Sequence, residues 1–401
     1  MRPKEERKKV LNVAMISFYF YPEYSGSAKQ MVCLIKALRK HNIRSFVISA
    51  QLNPAWPLEE IIDGIKIIRI PNIKNGSIFW FWIGVGFQLW KKRNLIDIVH
   101  SHGLNYLHGF SLFIGHLLGK ATVGKLSIAN SDINFGGQGR LIGRLHKLFL
   151  KHADRYVAIS SALREEIAKS GLHQEKCVMI PNGVDTTIYY KLDSKGKKLL
   201  RQRLGFNDDF IVLFVGVIDQ RKGIDTLIPA FRQVLLSIPR ARLVLIGPPN
   251  REDKNSYFMN SMIQLTHKYK IQDRVEFRGY DNNPAQYFQT ADLFVLPSRQ
   301  EGLANVLIEA MACGLPAIGT SISGSEDLIE NNINGVLVRP GDSVELANAM
   351  TRMVQQPDDY IQMSKNAHTK IREKYELEKI VESYIELYEN IFQENASQST
   401  S

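Results

Sequence analysis

Apolar residues recur along this chain with two different periods. Short apolar runs, typical of buried strands, alternate with longer stretches in which apolar positions recur every three or four residues, as in helices. In the first half the pattern predicts strands near residues 10–17, 44–49, 65–69, 96–100 and 156–159, and helices near 28–40, 104–118, 140–152 and 162–170. This alternation favours a parallel, doubly wound α/β sheet.

The second half repeats this plan after a break. Residues 181–185 (PNGVD) are a turn signal, and the lysine-rich stretch 191–198 is interpreted as a link to a second unit. Further strands are predicted near residues 210–215, 242–246, 275–277, 293–296, 317–319 and 335–338. Residues 376–392 alternate acidic and apolar positions as an amphipathic helix, and the polar tail after them is expected to fray.

Length and composition agree with two domains. The chain has 401 residues, of which 44% are hydrophobic and 23% charged, as in water-soluble globular proteins. The three cysteines, Cys33, Cys177 and Cys313, are scattered singly, so neither a disulfide scaffold nor a structural zinc site is expected and a reducing compartment is the simpler assumption.

The stretch 294–316 (FVLPSRQEGLANVLIEAMACGLP) carries the strongest functional signal. It predicts a strand, a polar loop and a helix in that order, which points backbone N–H groups and the positive end of a helix dipole at a phosphate group. Glu301 and Glu309 flank this site with seven residues between them. Because carboxylates accept hydrogen bonds from hydroxyl groups, the pair suits sugar or ribose hydroxyls.

The Glu-x7-Glu spacing, with Pro297 and Ser298 before it and Glu-Ala-Met-Ala-Cys-Gly-Leu-Pro closing it, resembles the donor-site signature of the retaining glycosyltransferases of family 4. The resemblance implies the GT-B fold, in which two Rossmann-like domains face each other across a cleft. It implies an acceptor-binding domain at 1–190, a nucleotide-sugar-binding domain at 191–370, and a segment 371–401 whose helix crosses back to the first domain.

A second stretch, 215–223 (VGVIDQRKG), places two cations in a loop after a strand. Fixed positive charge there stabilises the negative charge that develops on a leaving diphosphate. In the resembling family an arginine usually follows the first glycine, here Gly216, and a lysine precedes the second. Val217 occupies the arginine position, so we expect Arg221 to supply the guanidinium and Lys222 the ammonium group. A surface turn with incidental cations is the alternative.

Two features of the first half resemble the same family more loosely. The loop 21–28 carries Gly26 and Ser27 before a predicted helix, where a glycine lets backbone approach a ligand closely. His100 and His102 stand at the end of a strand, and the resemblance places this His-x-His on the acceptor side. Period-two spacing also allows a metal pair, although no carboxylate or cysteine partner is nearby. The family's next histidine has no counterpart in 125–131.

The resemblance implies a role for each residue of the donor site. Glu309 would bind the ribose hydroxyls, Glu301 the donor sugar, and Arg221 with Lys222 the diphosphate. The backbone of Gly302, Leu303, Ala304 and Asn305 would contact the diphosphate and the sugar. Front-face attack is implied, with retention at the anomeric carbon. No Asp-x-Asp motif stands at a strand end, so we expect no cofactor and no required metal.

The net charge of +11 attracts anionic partners. Residues 140–155 form a basic amphipathic pattern typical of helices on acidic membranes, with a solvated helix face as the alternative. The aromatic stretch 78–90, followed by Lys91-Lys92-Arg93, fits either a headgroup boundary or a core helix. It is too short to span a bilayer, the basic N-terminus lacks a signal cleavage site, and no nucleic-acid motif is present.

The sequence thus predicts a cytoplasmic glycosyltransferase, peripheral at the inner membrane face and without nucleic-acid partners. The expected donor is a nucleotide sugar, with UDP favoured, and the expected acceptor is a glycan or lipid-linked glycan of surface polysaccharide, lipopolysaccharide or glycoconjugate synthesis. Two alternatives remain: a non-hydrolysing sugar-nucleotide epimerase and a non-catalytic, membrane-associated sugar-binding subunit.

Overall fold

The computed structural model of the protein describes residues 10–22, 26–71, 78–105, 108–127, 133, 140–250, 253 and 255–398. The chain divides into two units. Unit 1 runs to Asn182 and takes in the chain again from Leu377, whereas unit 2 is Gly183–Glu376.

The described residues form two sets of strands and helices. The strands are β1 Leu11–Ile16, β2 Ile43–Gln51, β3 Glu59–Ile62, β4 Ile65–Pro71, β5 Ile98–His102, β6 Ala121–Lys125, β7 Arg155–Ala158, β8 Cys177–Met179, β9 Phe210–Val215, β10 Ala241–Ile246, β11 Val275–Gly279, β12 Leu293–Leu296, β13 Ala317–Thr320 and β14 Val336–Val338. The helices are α1 Gly26–Arg39, α2 Ile78–Lys91, α3 Gly109–Leu117, α4 Arg140–Leu150, α5 Ser161–Ser170, α6 Ser194–Leu204, α7 Ile224–Ser237, α8 Tyr257–Lys268, α9 Ala285–Phe288, α10 Asn305–Ala312, α11 Ser343–Gln355, α12 Pro357–Lys374 and α13 Leu377–Gln398.

Each unit is built on one sheet whose strand order reverses in the middle. Unit 1 has the order β3-β4-β2-β1-β5-β6-β7-β8, in which β3 is antiparallel to β4 and the other pairs are parallel. Unit 2 has the parallel order β11-β10-β9-β12-β13-β14. The order reverses between β1 and β5 and again between β9 and β12. Ligands of open parallel sheets bind at such reversal points, outside the carboxyl ends of the strands.

Alternate side chains of β1 show why the first sheet is covered on both faces. Val13 and Met15 pack into a core that includes α1 and α13. Ala14 and Ile16 point the other way, into a core that includes α2. Because successive strand residues face opposite sides, a continuous apolar run marks a strand that is buried on both faces.

Several predicted boundaries are corrected by the structure. The predicted link 191–198 is shorter, because α6 begins inside it at Ser194, where Asp193 accepts a hydrogen bond from the N–H of Gly196. The strand predicted at 96–100 lies at β5, so both histidines belong to the strand. The last helix continues to Gln398, past the predicted fraying point. Three short strands, β3, β6 and β8, were not predicted.

Helix α2 resolves the ambiguity of the aromatic stretch in an unexpected way. Its inner side chains Phe81, Val85 and Leu89 are buried in a core of unit 1, while Phe79 and Trp90 are exposed. The core-helix interpretation is therefore confirmed for the inner face, while the headgroup interpretation of the outer face stays a prediction. Among the described residues, no helix is long and apolar enough to cross a membrane.

Candidate functional site

The candidate donor site lies where the strand order of unit 2 reverses. The loop after β9 contains Gly216 and, in a short 3₁₀ turn, Arg221 and Lys222. The loop after β12 runs from Pro297 to Ala304 and leads into α10. Because β9 and β12 are parallel neighbours, their two loops leave the same edge of the sheet side by side.

A buried ion pair joins the two loops. Lys222 Nζ lies 2.6 Å from Glu301 Oε1, and the side chains of the two residues are only 11% and 9% exposed. The hydroxyl of Ser298 donates a second hydrogen bond to the same carboxylate oxygen at 2.7 Å. Ser298 is fully buried, so the carboxylate of Glu301 is held in one orientation.

Arg221 adds a second positive charge beside this pair. Its Nη1 lies 3.6 Å from Glu301 Oε2 and donates a hydrogen bond to the backbone carbonyl of Gln300 at 2.9 Å. Burial alone would raise the pKa of Glu301, but the positive charges of Lys222 and Arg221 outweigh it and hold the pKa below its ordinary value. Glu301 is therefore ionised at neutral pH and can only accept hydrogen bonds.

Gly223 permits the close approach of the two loops. It has φ +71°, and a Cβ atom there would lie 2.0 Å from the carbonyl oxygen of Pro297. A second contact ties the loop after β12 to the first turn of α7, because the guanidinium of Arg299 donates to both carboxylate oxygens of Asp225, at 2.8 and 2.9 Å. The glycine that the sequence marked as the end of the basic motif thus allows the backbone contact that sets the site.

The remaining predicted donor residues lie along the same two loops. Glu309 is buried within α10, and α10 begins at Asn305 without a side-chain cap at Ala304. Gly302, Leu303 and Ala304 are buried in the loop just before it. Gly216 follows β9, and a Cβ atom on it would lie 3.8 Å from Lys222 Cε. The structure thus brings Gly216, Lys222 and Glu301 together.

The predicted acceptor-side histidines lie inside unit 1. His100 is fully buried, and its Nδ1 is 2.6 Å from the hydroxyl of Tyr388 on α13. The rings of His100 and His102 are 4.2 Å apart between centroids. Burial, reinforced by the charge of Lys125, holds the pKa of both histidines well below the usual value, so both are neutral. Within the described part of the chain no cluster of three or more metal-binding side chains occurs.

Lys125 is a buried charged residue that the sequence patterns did not single out. It ends β6, pairs in register with His102, and donates a hydrogen bond from Nζ to Asn182 Oδ1 at 2.8 Å. Burial lowers its pKa to about 7. A lysine at the end of a short strand is the only sequence signal, and it does not reveal burial.

The last two predicted residues begin the first helix of unit 1. Gly26 and Ser27 open α1, which follows the loop after β1. Part of the predicted glycine loop, residues 23–25, and part of the region without a histidine, residues 128–131, lie outside the described residues.

Comparison with known proteins places both units in known families. The family described as "Glycosyl transferases group 1" matches residues 196–370, and the family described as "Glycosyltransferase Family 4" matches residues 24–188. Between them the two matches take in most of units 1 and 2. The chain is a GT-B glycosyltransferase of the family 4 kind.

Named relatives agree with this assignment. The glycosyltransferase is 24% identical over 306 residues to the N-acetyl-alpha-D-glucosaminyl L-malate synthase of Bacillus anthracis. The aligned residues cover 76% of this chain and 77% of that one. It is 28% identical over 365 residues to an uncharacterized glycosyltransferase of Haemophilus influenzae, covering 90% and 95% of the two chains. The crystal structure of Anabaena Alr3699/HepE in complex with UDP and glucose superposes with a TM-score of 0.78 at 20% identity, covering 95% of this chain and 100% of that one.

The family assignment decides between the functional classes that the sequence left open. A glycosyltransferase is an enzyme, and its relatives act as glycosyltransferases, so neither the epimerase nor the non-catalytic subunit is favoured.

Proposed function

We propose that this glycosyltransferase moves a sugar from a uridine diphosphate donor, with retention at the anomeric carbon, to a lipid-linked glycan in surface polysaccharide, lipopolysaccharide or glycoconjugate synthesis. The observation that carries the proposal is the ion pair of Lys222 and Glu301 at the reversal point of the second sheet. The co-crystallised UDP and glucose of the Anabaena protein support the choice of donor.

The two cations supply the electrostatic part of the reaction. When the bond between the anomeric carbon and the phosphate oxygen breaks, its electron pair goes to the diphosphate. Lys222 and Arg221 place positive charge where that negative charge develops, and the burial of Lys222 reduces screening by water. Such fixed charge stabilises the transition state more than the ground state.

The two carboxylates orient the donor. Glu301 is ionised and fixed by Ser298, so its second oxygen suits a hydroxyl donor of the transferred sugar. Glu309, seven residues further along and buried in α10, is assigned to the ribose hydroxyls. The backbone of Gly302–Asn305 and the positive end of the α10 dipole are assigned to the diphosphate and the sugar.

Retention follows from attack on the face that the diphosphate leaves. The oxygen of the acceptor hydroxyl forms the new bond to the anomeric carbon, and its proton passes to the departing phosphate oxygen, so no protein nucleophile is needed. Double displacement needs a carboxylate nucleophile on the opposite face of the sugar. In this proposal both glutamates are used to orient the donor, and neither acts as that nucleophile. In this proposal the protein works at the cytoplasmic membrane face without a metal or cofactor.

A panel of nucleotide sugars tests the donor assignment. The purified protein is incubated with UDP- and GDP-linked sugars, and slow donor hydrolysis is read by mass spectrometry. We expect hydrolysis of one UDP-sugar. Glu309→Ala should weaken donor binding, and Lys222→Ala should depress turnover more than binding. The control is Lys268→Ala, which removes an exposed lysine of the same unit. Unchanged kinetics in both site variants would defeat the assignment.

A further inference from the structure

Helix α2 has a second apolar face that no described element covers. Its outward side chains Phe79, Trp80, Ile83, Phe87 and Trp90 have between 43% and 61% of their surface exposed. At 100° per residue these five positions fall within an arc of about 100°. Ordinary surfaces carry single, scattered apolar side chains, whereas five large ones on one exposed arc are the pattern that marks interaction surfaces.

The inward face of α2 cannot exchange places with the outward one. Gly84 lies so close to β4 that a Cβ atom on it would be 2.2 Å from Ile70 Cγ2. Trp82 stacks on Phe110 of α3, with 5.4 Å between ring centroids, and meets Phe149 of α4 edge-on at 5.8 Å. The helix is therefore fixed by packing on two sides, and its outward rings stay outward.

The three helices at this face carry charge of one sign. The carboxylate of Glu59 on β3 lies close to Lys91 and Lys92, since its pKa is lowered by the hydrogen bond that Lys66 donates and also by the charges of these two lysines. The sequences of α2, α3 and α4 contain no aspartate or glutamate, although the chain has 40 acidic residues. Lys91, Lys92 and Arg93 follow the last ring, and the Arg93 guanidinium lies 5.0 Å from the ring centroid of Trp90.

We propose that the outward face of α2 docks on an anionic lipid bilayer, with its rings at the depth of the headgroups and Lys91, Lys92 and Arg93 against lipid phosphates. Tryptophan and other amphipathic rings favour that depth, and cations beside them are attracted to anionic lipids. The proposal deepens the proposed function, and rests on it for the lipid-linked acceptor that such docking would bring within reach.

Charge complementarity selects a bilayer over a second copy of the chain. A symmetric dimer through this face would bring the basic residues at the end of α2 toward those around the partner's face. No acidic residue on α2, α3 or α4 could meet them, and the nearby Glu59 already pairs with Lys66 at 2.8 Å. An anionic lipid surface supplies the opposite charge at every one of these positions.

Vesicle flotation tests the proposal with the full chain. Vesicles of phosphatidylcholine alone are compared with vesicles of equal parts phosphatidylcholine and phosphatidylglycerol. We expect binding to the anionic vesicles only. The triple variant Phe79→Gln, Phe87→Gln, Trp90→Gln should lose about tenfold or more of that binding. Lys91→Gln, Lys92→Gln, Arg93→Gln should weaken it and reduce its dependence on salt.

A matched control separates this face from general loss of apolar surface. Leu199→Gln, Leu236→Gln, Ile333→Gln removes three side chains of unit 2 that are at least 54% exposed, and it should bind vesicles like the unaltered protein. Donor hydrolysis in solution should be unchanged in the α2 triple variant, so that a failed docking proposal and a failed functional proposal give different results. Equal vesicle binding by the α2 triple variant would overturn the inference. A dimer that this variant abolishes, without vesicle binding by the unaltered protein, would also overturn it.

Discussion

Lys222 and Glu301 form a buried ion pair, 2.6 Å from nitrogen to oxygen, although they stand 79 residues apart in the sequence. The pair ties the basic loop after β9 to the acidic loop after β12. Each partner keeps the other's charge compensated within a largely buried site. The same two groups therefore serve stability when the site is empty and donor chemistry in the proposed function.

A double-mutant comparison separates these two contributions. Lys222→Met leaves the Glu301 carboxylate buried with only Arg221 nearby, and we expect it to lower the free energy of unfolding by roughly 3 kcal/mol. Adding Glu301→Gln removes the uncompensated charge and should restore most of that loss. Turnover should fall by about 10²–10³ in both variants, because the ammonium group of Lys222 is absent from each and Arg221 alone remains to stabilise the diphosphate.

Denaturant unfolding and donor-hydrolysis assays on the same preparations check this expectation. Lys268→Met, on the surface of α8, is the control for loss of a lysine. Recovery of turnover together with stability in the double variant would contradict the assignment of Lys222 to the diphosphate.

Gly223→Ala should destabilise unit 2 and abolish activity. The new methyl group would lie 2.0 Å from the carbonyl oxygen of Pro297, so the two site loops must separate. Gly205→Ala is the matched control, since Gly205 has φ +75° but no atom within 4 Å of its Cβ position. Gly205→Ala introduces backbone strain without a steric contact, so it should lower the free energy of unfolding by about 1 kcal/mol. Melting temperatures compare the two, and equal losses would show that loop contact is not what Gly223 provides.

The tyrosines of α13 give a paired test of how this helix is held in unit 1. Tyr388→Phe removes the partner of His100 Nδ1 and leaves a buried imidazole nitrogen unsatisfied, which costs about 1–3 kcal/mol. The hydroxyl of Tyr384 is buried and has no hydrogen-bond partner among the described residues, so Tyr384→Phe should be neutral or stabilising. Hydrogen exchange in α13 should accelerate only in the Tyr388 variant. The opposite order would refute the account of this contact.

The stability of unit 1 should rise with pH above neutrality because of Lys125. Burial lowers its pKa from 10.5 to about 7, so between these values the unfolded chain holds a proton that the folded chain does not. Stability then increases with pH, by up to about 1.4 kcal/mol per pH unit, and the contribution is constant below the folded pKa. The neighbouring His100 and His102 affect stability only at pH values below their ordinary pKa, where the unfolded chain protonates them. Burial keeps both neutral in the folded chain.

Lys125→Met should therefore flatten the stability profile between about pH 7 and about pH 9, measured by denaturant unfolding. Lys151→Met, which changes an exposed lysine of the same unit, should leave the slope as it is. A slope that persists in the Lys125 variant would show that another group is responsible.

The sequence patterns were sufficient where the signal is local. The run 294–316 predicts its strand, loop and helix in the right order. The spacing of apolar residues and the turn residues between them determine structure over only a few neighbouring positions. Strand β6 was missed, since it is short and contains Gly124, where a Cβ atom would lie 2.5 Å from Leu104. That glycine is required by packing and weakens the strand signal.

Long-range contacts could not be predicted from local patterns. The pairing of Lys222 with Glu301 depends on β9 lying beside β12, and the burial of His100 depends on Tyr388, which is 288 residues away. Local motifs identified the candidate residues, whereas the order of the strands in each sheet decides which of these residues come into contact.

The most direct test of the donor site is a crystal structure of the protein with UDP bound. We expect the diphosphate within hydrogen-bond distance of Lys222 or Arg221 and of the backbone at Gly302–Asn305, and the ribose beside Glu309. A nucleotide bound anywhere other than beside residues 301–309 would contradict the central claim.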